Sequence, residues 1–460
     1  MGLPKDHAEV FYSPPPLDSF IKEGLSTGTI QSGCFPIEQW WVLFEDPQLD
    51  EYILHALEKN PTFREAQYRI AQAREQAKIQ RSALFPYVWF HSEVDAQYLG
   101  RNDFFRAYDP NVIPERVPEY KIDLDFSYEF DFWGKWRNLY RASLGYAKAE
   151  QAECKQVQLM LGIEIAATYF LLQKNREEIA LYQELESAAF SLNSLNIKRR
   201  ENALAGALEE IPSEELLFST KQLLLLVEEQ FQLNQHLLAF LIGEGPQYPI
   251  ALSERNKTRT IVSVPQSLEC DLISRRPDIM AQLWRVSALA HQVGAAKADF
   301  YPNINLAGLI GYDSVFFDQI FTPSSYTANI IPALHLPIFT AGRIKAHLKE
   351  KQAMYHEAVS HYNSLILQAA KEVTDALTHL QISLRNLDVQ EQKIVQQEKR
   401  VALETKRFEN AVSSEIDRLE AIMSLIRQRI LALEIEYQSL LSTLKVIKSL
   451  GGGYQPAPCL

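Results

Sequence analysis

Acidic side chains are the residues of this sequence whose spacing indicates a chemical role. Between residues 120 and 132, polar and apolar side chains alternate, so every second side chain lies on the same face of an extended strand. One face carries carboxylates at Asp123, Asp125, Glu129 and Asp131. The other face is apolar or aromatic: Ile122, Leu124, Phe126, Tyr128, Phe130 and Phe132. This pattern suits either a soluble sheet with its acidic face in water or a membrane strand with its acidic face towards a lumen.

Three further stretches have the same two-sided character. They cover residues 87–99, 303–313 and 328–339, and the last contains two prolines that remove backbone donors. In a membrane, the acidic residues of the first two strands would face the lumen: Glu93, Asp95, Asp123, Asp125, Glu129 and Asp131. Four strands are too few to close a barrel, because closure takes about eight, so the membrane hypothesis requires several chains to share one barrel.

The sequence lacks the motifs of catalytic and metal sites. The ten histidines show no HExxH or other metal spacing, and the four cysteines lie far apart, so we expect neither a metal site nor a disulfide framework. The chain also has no glycine-rich phosphate loop and no nucleophile motif. We therefore predict a protein that is not an enzyme and needs no cofactor.

Charge and hydropathy narrow the choice of partners. The formal net charge of -12 argues against nucleic acid as a partner and favours cations. No run of about 18 apolar residues is present, which excludes a membrane-spanning helix. The first residues have neither the basic segment nor the apolar segment of a signal peptide, so we expect none in this chain.

The elements that position the strands occur twice along the chain. Aromatic-proline pairs at residues 85–86 and 301–302 each end a helix and precede two alternating stretches. A very long helical stretch then begins at Gly134 and again at Gly342. The order helix, strand, strand, long helix, helix is therefore a tandem repeat in a mainly α-helical chain. Long helices alone would favour a soluble coiled-coil scaffold that binds protein partners, which is the alternative interpretation.

The predicted organisation follows from this repeat. An extended N-terminal arm and equatorial segment (1–48) precedes the first repeat (49–243), and a linker (244–276) leads to the second repeat (277–450) and a C-terminal tail (451–460). The strands are predicted at residues 87–99, 120–132, 303–313 and 328–339. The long helices are predicted at residues 134–198, 214–241, 342–408 and 414–450.

Several short motifs occur in the order seen in one known family. They are Trp40-Trp41 with Phe44 and Asp46-Pro47, Arg275-Arg276-Pro277-Asp278, Gly294-Ala295-Ala296 before Phe300-Tyr301-Pro302, Leu336-Pro337-Ile338-Phe339 with Gly342-Arg343, and Leu450-Gly451-Gly452-Gly453. Together they resemble the TolC-like outer-membrane factors, in the subgroup paired with resistance-nodulation-division pumps. The resemblance extends over residues 36–454.

This resemblance implies a homotrimer in which three sets of four strands form one 12-stranded β-barrel, continued by the helices as a periplasmic α-barrel tunnel. It implies a passive exit duct in the outer membrane of a Gram-negative bacterium, in contact with outer-membrane lipid. A periplasmic adaptor protein and an inner-membrane pump would be its partners in a tripartite system for multidrug export.

The resemblance also implies a periplasmic gate at the inner end of the tunnel. The aspartate pair of the family corresponds to Asp417 and Glu420, whose i, i+3 spacing puts both carboxylates on one helix face. Three-fold symmetry would turn them into two acidic rings, which favour cations and repel anions. An ordinary solvated helix face has the same pattern and is the alternative. At the turn before this helix the family usually has glycine, whereas this chain has Ala411.

Overall fold

The structure is a computed structural model that describes residues 31–32, 36–100, 102, 115–204, 206–253, 263–264 and 275–455. Most of the predicted N-terminal arm, much of the predicted linker and residues 456–460 of the predicted tail lie outside the described residues.

The described chain runs twice through the same order of elements. The first repeat consists of α1 (Pro47–Lys59), α2 (Pro61–Ser82), β2 (Tyr87–Tyr98), β3 (Arg116–Phe130), α3 (Lys135–Glu201) and α4 (Ala207–Leu241). The second consists of α5 (Pro277–Ala298), β5 (Asn303–Ser314), β6 (Tyr326–His335), α6 (Arg343–Glu409) and α7 (Glu415–Ser449). Two short strands, β1 (Gln31–Ser32) and β4 (Ser263–Val264), pair in parallel. The predicted tandem repeat and the mainly helical fold class are confirmed.

Three element boundaries differ from the prediction by about four residues or more. Strand β3 begins at Arg116, because residues 116–119 continue the ladder with β2. Strand β6 ends at His335 instead of residue 339, two positions before Pro337, which cannot donate to a ladder. Helix α4 begins at Ala207 instead of residue 214 and continues through Pro212, which lies within its second turn and supplies no backbone donor there.

The four longer strands form one antiparallel sheet in the order β2-β3-β5-β6. Each repeat therefore supplies one strand pair, and the two pairs meet where β3 lies beside β5. Helices α2 and α5 lead into β2 and β5, while α3 and α6 follow β3 and β6. Because neighbouring strands are antiparallel, all four of these connections lie at the same end of the sheet.

The chain divides into two compact units, and the first comprises the described residues among 70–149 and 282–361. This unit contains the sheet and the adjoining helix ends. Gly145 of α3 permits close packing on α5, because a Cβ at this position would lie 3.0 Å from the Cβ of Ala288. The Lys148 ammonium lies 4.1 Å from the centre of the Trp284 ring, which adds a cation-π contact between the same two helices.

The second unit comprises the described residues among 9–69, 150–281 and 362–460. Its core contains Trp40, which is 1% exposed and lies against Gly162, where a Cβ would come within 3.2 Å of the indole. Asp46 caps the N terminus of α1 and also accepts a 2.8 Å hydrogen bond from the buried Tyr169 hydroxyl. Burial, followed by this contact with the carboxylate, raises the pKa of Tyr169, so the phenol stays protonated.

Arg276 anchors the end of α7 in this second unit. Its guanidinium pairs with Asp278 at 2.6 Å and with Glu372 at 2.8 Å, and it donates to the Ser449 carbonyl. Burial opposes the charge, but the two carboxylates outweigh it and raise the pKa of Arg276. Gly451, just beyond the end of α7, has a φ of 86°, and a Cβ there would lie 2.0 Å from the Arg275 carbonyl oxygen. The motifs around Arg276 and Gly451 therefore serve one packing contact.

Both helix-to-helix turns of the long hairpins place an alanine in the left-handed region. Ala203 and Ala411 each have a φ of 56°. At the second turn, the Val412 amide donates 2.8 Å back to the Arg407 carbonyl, as expected for a helix end that reverses in this conformation. The turn predicted without its usual glycine thus keeps the glycine-type geometry and strains the alanine.

Replacing Ala411 by glycine should raise the free energy of unfolding by about 1 kcal/mol, because a β-carbon is strained at positive φ and glycine is not. Thermal unfolding of the detergent-solubilised protein, followed by circular dichroism, measures the change. Val412→Gly is the matched control, because Val412 does not have a positive φ and glycine there should destabilise the protein. An Ala411→Gly protein that is less stable than the parent would contradict the strain.

Candidate functional site

The strand register gathers five of the predicted acidic residues on one face of the sheet. Glu93 lies opposite Lys121, and His91 lies opposite Asp123. Directly opposed residues of an antiparallel pair project from the same face. The acidic residues on this face, which we call the acidic face, are Glu93, Asp95, Glu119, Asp123, Asp125, Glu129 and Asp313.

Asp131 does not belong to the acidic face, contrary to the prediction. It follows the last residue of β3, and its carboxylate lies at the N terminus of α3. Its oxygens accept hydrogen bonds from the amides of Trp136 at 3.0 Å and Arg137 at 2.9 Å. The alternation in the sequence extends one polar residue beyond the strand, because a carboxylate that caps a helix is as polar as one on the polar face of a strand.

The acidic face also carries side chains that the charge pattern did not indicate. Lys121 pairs with Glu119 at 2.9 Å, and the Asn303 amide donates to Glu129 at the same distance. Trp89 lies opposite Asp125 and is 66% exposed, so one large aromatic ring projects among the carboxylates. The face is therefore mixed in character, with its carboxylates set among aromatic, amide and basic side chains.

One group on the acidic face has the spacing of a metal site. The ligand atoms of His91, Asp123 and Asp125 lie within 4.8 Å of one another. Among the described residues, this is the one group of three potential metal ligands that lie so close together. His91 belongs to β2, whereas the two aspartates belong to β3. The sequence spacing of the histidines missed the group, because only the pairing of two strands brings its members together.

The opposite face of the sheet, which we call the apolar face, is covered with exposed apolar side chains. Phe90 is 70% exposed and Ile330 is 78% exposed. The others are Val88, Val94, Tyr98, Leu124, Phe130, Ile310, Tyr326 and Leu334. A contiguous apolar surface of this kind is typical of a membrane or protein interface and not of a free soluble surface.

At the start of α7, Asp417 takes part in a capping box. The Ser414 amide and hydroxyl donate to its carboxylate at 2.9 and 2.7 Å, and the Asp417 amide donates to the Ser414 hydroxyl oxygen at 3.2 Å. The two hydrogen bonds from Ser414 lower the pKa of Asp417, so this carboxyl is ionised at neutral pH. The Ser-x-x-Asp spacing of residues 414–417 is the sequence signal for this cap.

The predicted gate residues lie on the solvent side of α7. Asp417 and Glu420 are exposed, while Leu419 and Met423 are buried in a cluster with residues of α3 and α4 such as Leu192. Helical periodicity therefore separates the carboxylates from the packed face. Near them, the Arg418 guanidinium pairs with Glu415 and lies 5.4 Å from the Phe408 ring, which ties the start of α7 to the end of α6.

Among the described residues, no helix combines the length and the apolar character needed to cross a membrane. The sheet with one acidic and one apolar face, continued by paired long helices, instead defines the fold of an outer-membrane efflux channel. The chain matches the family of outer membrane efflux proteins over residues 53–244 and 270–452, one match for each repeat, and it belongs to this family. Its location is the outer membrane, as predicted.

Named relatives and solved structures agree with this family. The chain is 27% identical over 444 residues to the multidrug resistance outer membrane protein MdtP of Escherichia coli strain K12, covering 93% of this chain and 89% of that protein. It is 28% identical over 426 residues to the pyoverdine export outer membrane protein OpmQ of Pseudomonas putida, covering 92% and 89%.

Two solved structures have closely similar folds. The CmeC outer membrane channel of Campylobacter jejuni matches with a TM-score of 0.88 at 23% identity, covering 100% of this chain and 95% of that one. The outer membrane protein VceC of Vibrio cholerae matches with a TM-score of 0.81 at 28% identity, covering 92% and 100%. The resemblance to TolC-like channels is thus confirmed, and the chain acts as an exit duct for efflux in the outer membrane.

An arginine on the apolar face should be far more costly than the same arginine on the acidic face. Leu124→Arg should destabilise the assembled protein by about 2–4 kcal/mol if the residue lies near the bilayer midplane. Ser127→Arg, on the opposite face of the same strand, is the matched control and should have a much smaller effect. Unfolding of both variants in lipid vesicles with urea measures the difference. Equal losses of stability would count against a lipid-facing apolar face.

Proposed function

We propose that this chain is one subunit of a homotrimeric duct whose three sheets close into a single 12-stranded barrel. The observation that carries the proposal is the sheet itself. Among the described residues, β2 and β6 each have one neighbouring strand, so the sheet has two open edges. Open edges are not tolerated in hydrocarbon, because their backbone groups have no water to bond to.

The strand directions support closure by identical copies. The order β2-β3-β5-β6 is antiparallel throughout, so β6 of one copy runs antiparallel to β2 of the next. Three copies then supply enough strands to exceed the minimum of about eight for a closed barrel.

Closure with the apolar face outward turns the acidic face towards the lumen. The apolar face would contact outer-membrane lipid, while Glu93, Asp95, Asp123, Asp125 and Glu129 would line a water-filled duct. The named relatives are a multidrug resistance protein and a pyoverdine export protein, so we propose small molecules as the cargo. An acidic wall disfavours anions among them.

The helical part is proposed to continue the duct and to meet its partners in the periplasm. A periplasmic adaptor protein would contact the helix turns, and an inner-membrane pump would supply the energy of transport. Asp417 and Glu420 would form two acidic rings at a narrow periplasmic gate. The capping box supports a fixed position for the first ring, since Ser414 orients the Asp417 carboxylate. Its hydrogen bonds also oppose the rise in pKa that crowded like charges cause.

The proposed stoichiometry is tested by the mass of the particle. Native mass spectrometry in mild detergent should return three copies of the chain, because one sheet leaves two edges open. As a comparison, the variant Ile330→Pro adds a second proline to β6, near Pro332, and should assemble poorly. A stable monomer whose strands are still detected by infrared spectroscopy would contradict the proposal.

The proposed gate is tested by ion permeation. The double variant Asp417→Asn with Glu420→Gln should lose cation selectivity and cation block in planar bilayers, because the acidic rings are gone. Asparagine still accepts the hydrogen bonds from Ser414, so the capping geometry is preserved. The double variant Glu209→Gln with Glu210→Gln removes two carboxylates at the other helix turn and should leave selectivity unchanged. Equal behaviour of both double variants would place Asp417 and Glu420 on an ordinary solvated face.

A further inference from the structure

The group of His91, Asp123 and Asp125 combines one nitrogen ligand with two carboxylates. The His91 Nδ1 lies 3.8 Å from Asp123 Oδ2, and its Nε2 lies 3.6 Å from Glu93 Oε2. Neither distance is that of a hydrogen bond. Ligands about 2.0–2.2 Å from a shared ion lie a little more than 3 Å apart, so small side-chain rotations suffice to bring the three ligand atoms around one ion.

One atom of this group lacks the partner that a buried polar atom needs. The Asp123 Oδ1 is buried and has no hydrogen-bond partner, and the Asp123 side chain is 11% exposed. A buried carboxylate oxygen without a partner is costly, because it has lost water and gained nothing in exchange. A cation bound by both oxygens of the Asp123 carboxylate, of which Oδ2 is the one near His91, would satisfy it.

The strand on the other side of Asp123 approaches it closely at a glycine. Gly311 of β5 faces Asp123, and a Cβ at Gly311 would lie 2.5 Å from the Asp123 Cβ. Any other residue would therefore push β3 and β5 apart or displace the aspartate. Asp123 therefore lies between His91 of β2 on one side and Gly311 of β5 on the other.

We propose that His91, Asp123 and Asp125 form a binding site for a divalent transition-metal cation of the Zn²⁺ class. An imidazole with carboxylates suits Zn²⁺ and its neighbours, whereas Ca²⁺ and Mg²⁺ prefer oxygen ligands alone. Glu93 lies near the other ring nitrogen of His91, with its Oε2 3.6 Å from Nε2, so it would orient the imidazole and would not bind the same ion. The site needs residues of a single chain, so its existence does not depend on how many copies assemble. The bound ion would link β2 to β3 and would place a positive charge on the acidic face.

The test is a titration of the full-length protein, purified in detergent without a histidine tag, with Zn²⁺ in a calorimeter. One Zn²⁺ should bind per chain. His91→Asn and Asp123→Asn should each weaken the affinity by about tenfold or more, which is the loss typical of a removed metal-site partner. Glu129→Gln is the matched control, because it removes a carboxylate from the same face of β3 that bonds Asn303 and lies outside the group. Its affinity should stay within about twofold of the parent.

Three results would overturn the proposal. The first is a His91→Asn protein that binds Zn²⁺ as tightly as the parent. The second is an equal loss in Glu129→Gln, which would mean diffuse attraction to the acidic face. The third is displacement of Zn²⁺ by Ca²⁺ at a similar concentration. X-ray absorption of Zn²⁺ on the unmodified protein tests the site without any variant: a shell that includes an imidazole supports it, and a shell of oxygens alone contradicts it.

Discussion

The pairing of β3 with β5 is the interaction on which the rest of this structure depends. It joins the strand pair of the first repeat to that of the second over a register that runs from Tyr120 opposite Ser314 to Phe130 opposite Ile304. A shift of one residue would move every carboxylate of β3 to the apolar face. It would also remove Gly311 from its position opposite Asp123, where no β-carbon fits. The register therefore sets the two-sided character of the sheet and the geometry of its acidic face.

The same pairing constrains the helices. Because the sheet is antiparallel, the four helices that adjoin its strands are attached at one end, and the two longest helices, α3 and α6, follow β3 and β6. The start of α3 is fixed by Asp131, whose carboxylate binds two amides of its first turn. The start of α7 is fixed by a capping box, in which the Asp417 amide donates to the Ser414 hydroxyl and the Ser414 amide donates to the Asp417 carboxylate. Carboxylates at these positions also interact favourably with the helix dipole, so they stabilise the helix and place negative charge at a defined point.

Carboxylates in this chain either lie on the polar face of a strand or cap a helix, and the sequence pattern predicted the first role but not the second. The alternation at residues 120–132 predicted a strand and its polar face correctly for Asp123, Asp125 and Glu129. It failed at Asp131, because a cap and a strand position look alike when only polarity is read. Helical periodicity likewise predicted α7, but the capping box involving Asp417 was missed. The absence of histidine spacing led to the expectation of no metal site, although pairing of β2 with β3 brings His91 to Asp123.

The sequence by itself determined the local elements, the tandem repeat and the membership of the family, because these depend on periodicity, prolines and short motifs that act within a few residues. Only the tertiary structure decided which residues lie opposite one another. The unpartnered oxygen of Asp123, its neighbour Gly311 and the approach of His91 arise from strands that are distant in the chain. The reason is physical: hydrogen-bond register between strands is a property of the whole sheet, and no single stretch of sequence contains it.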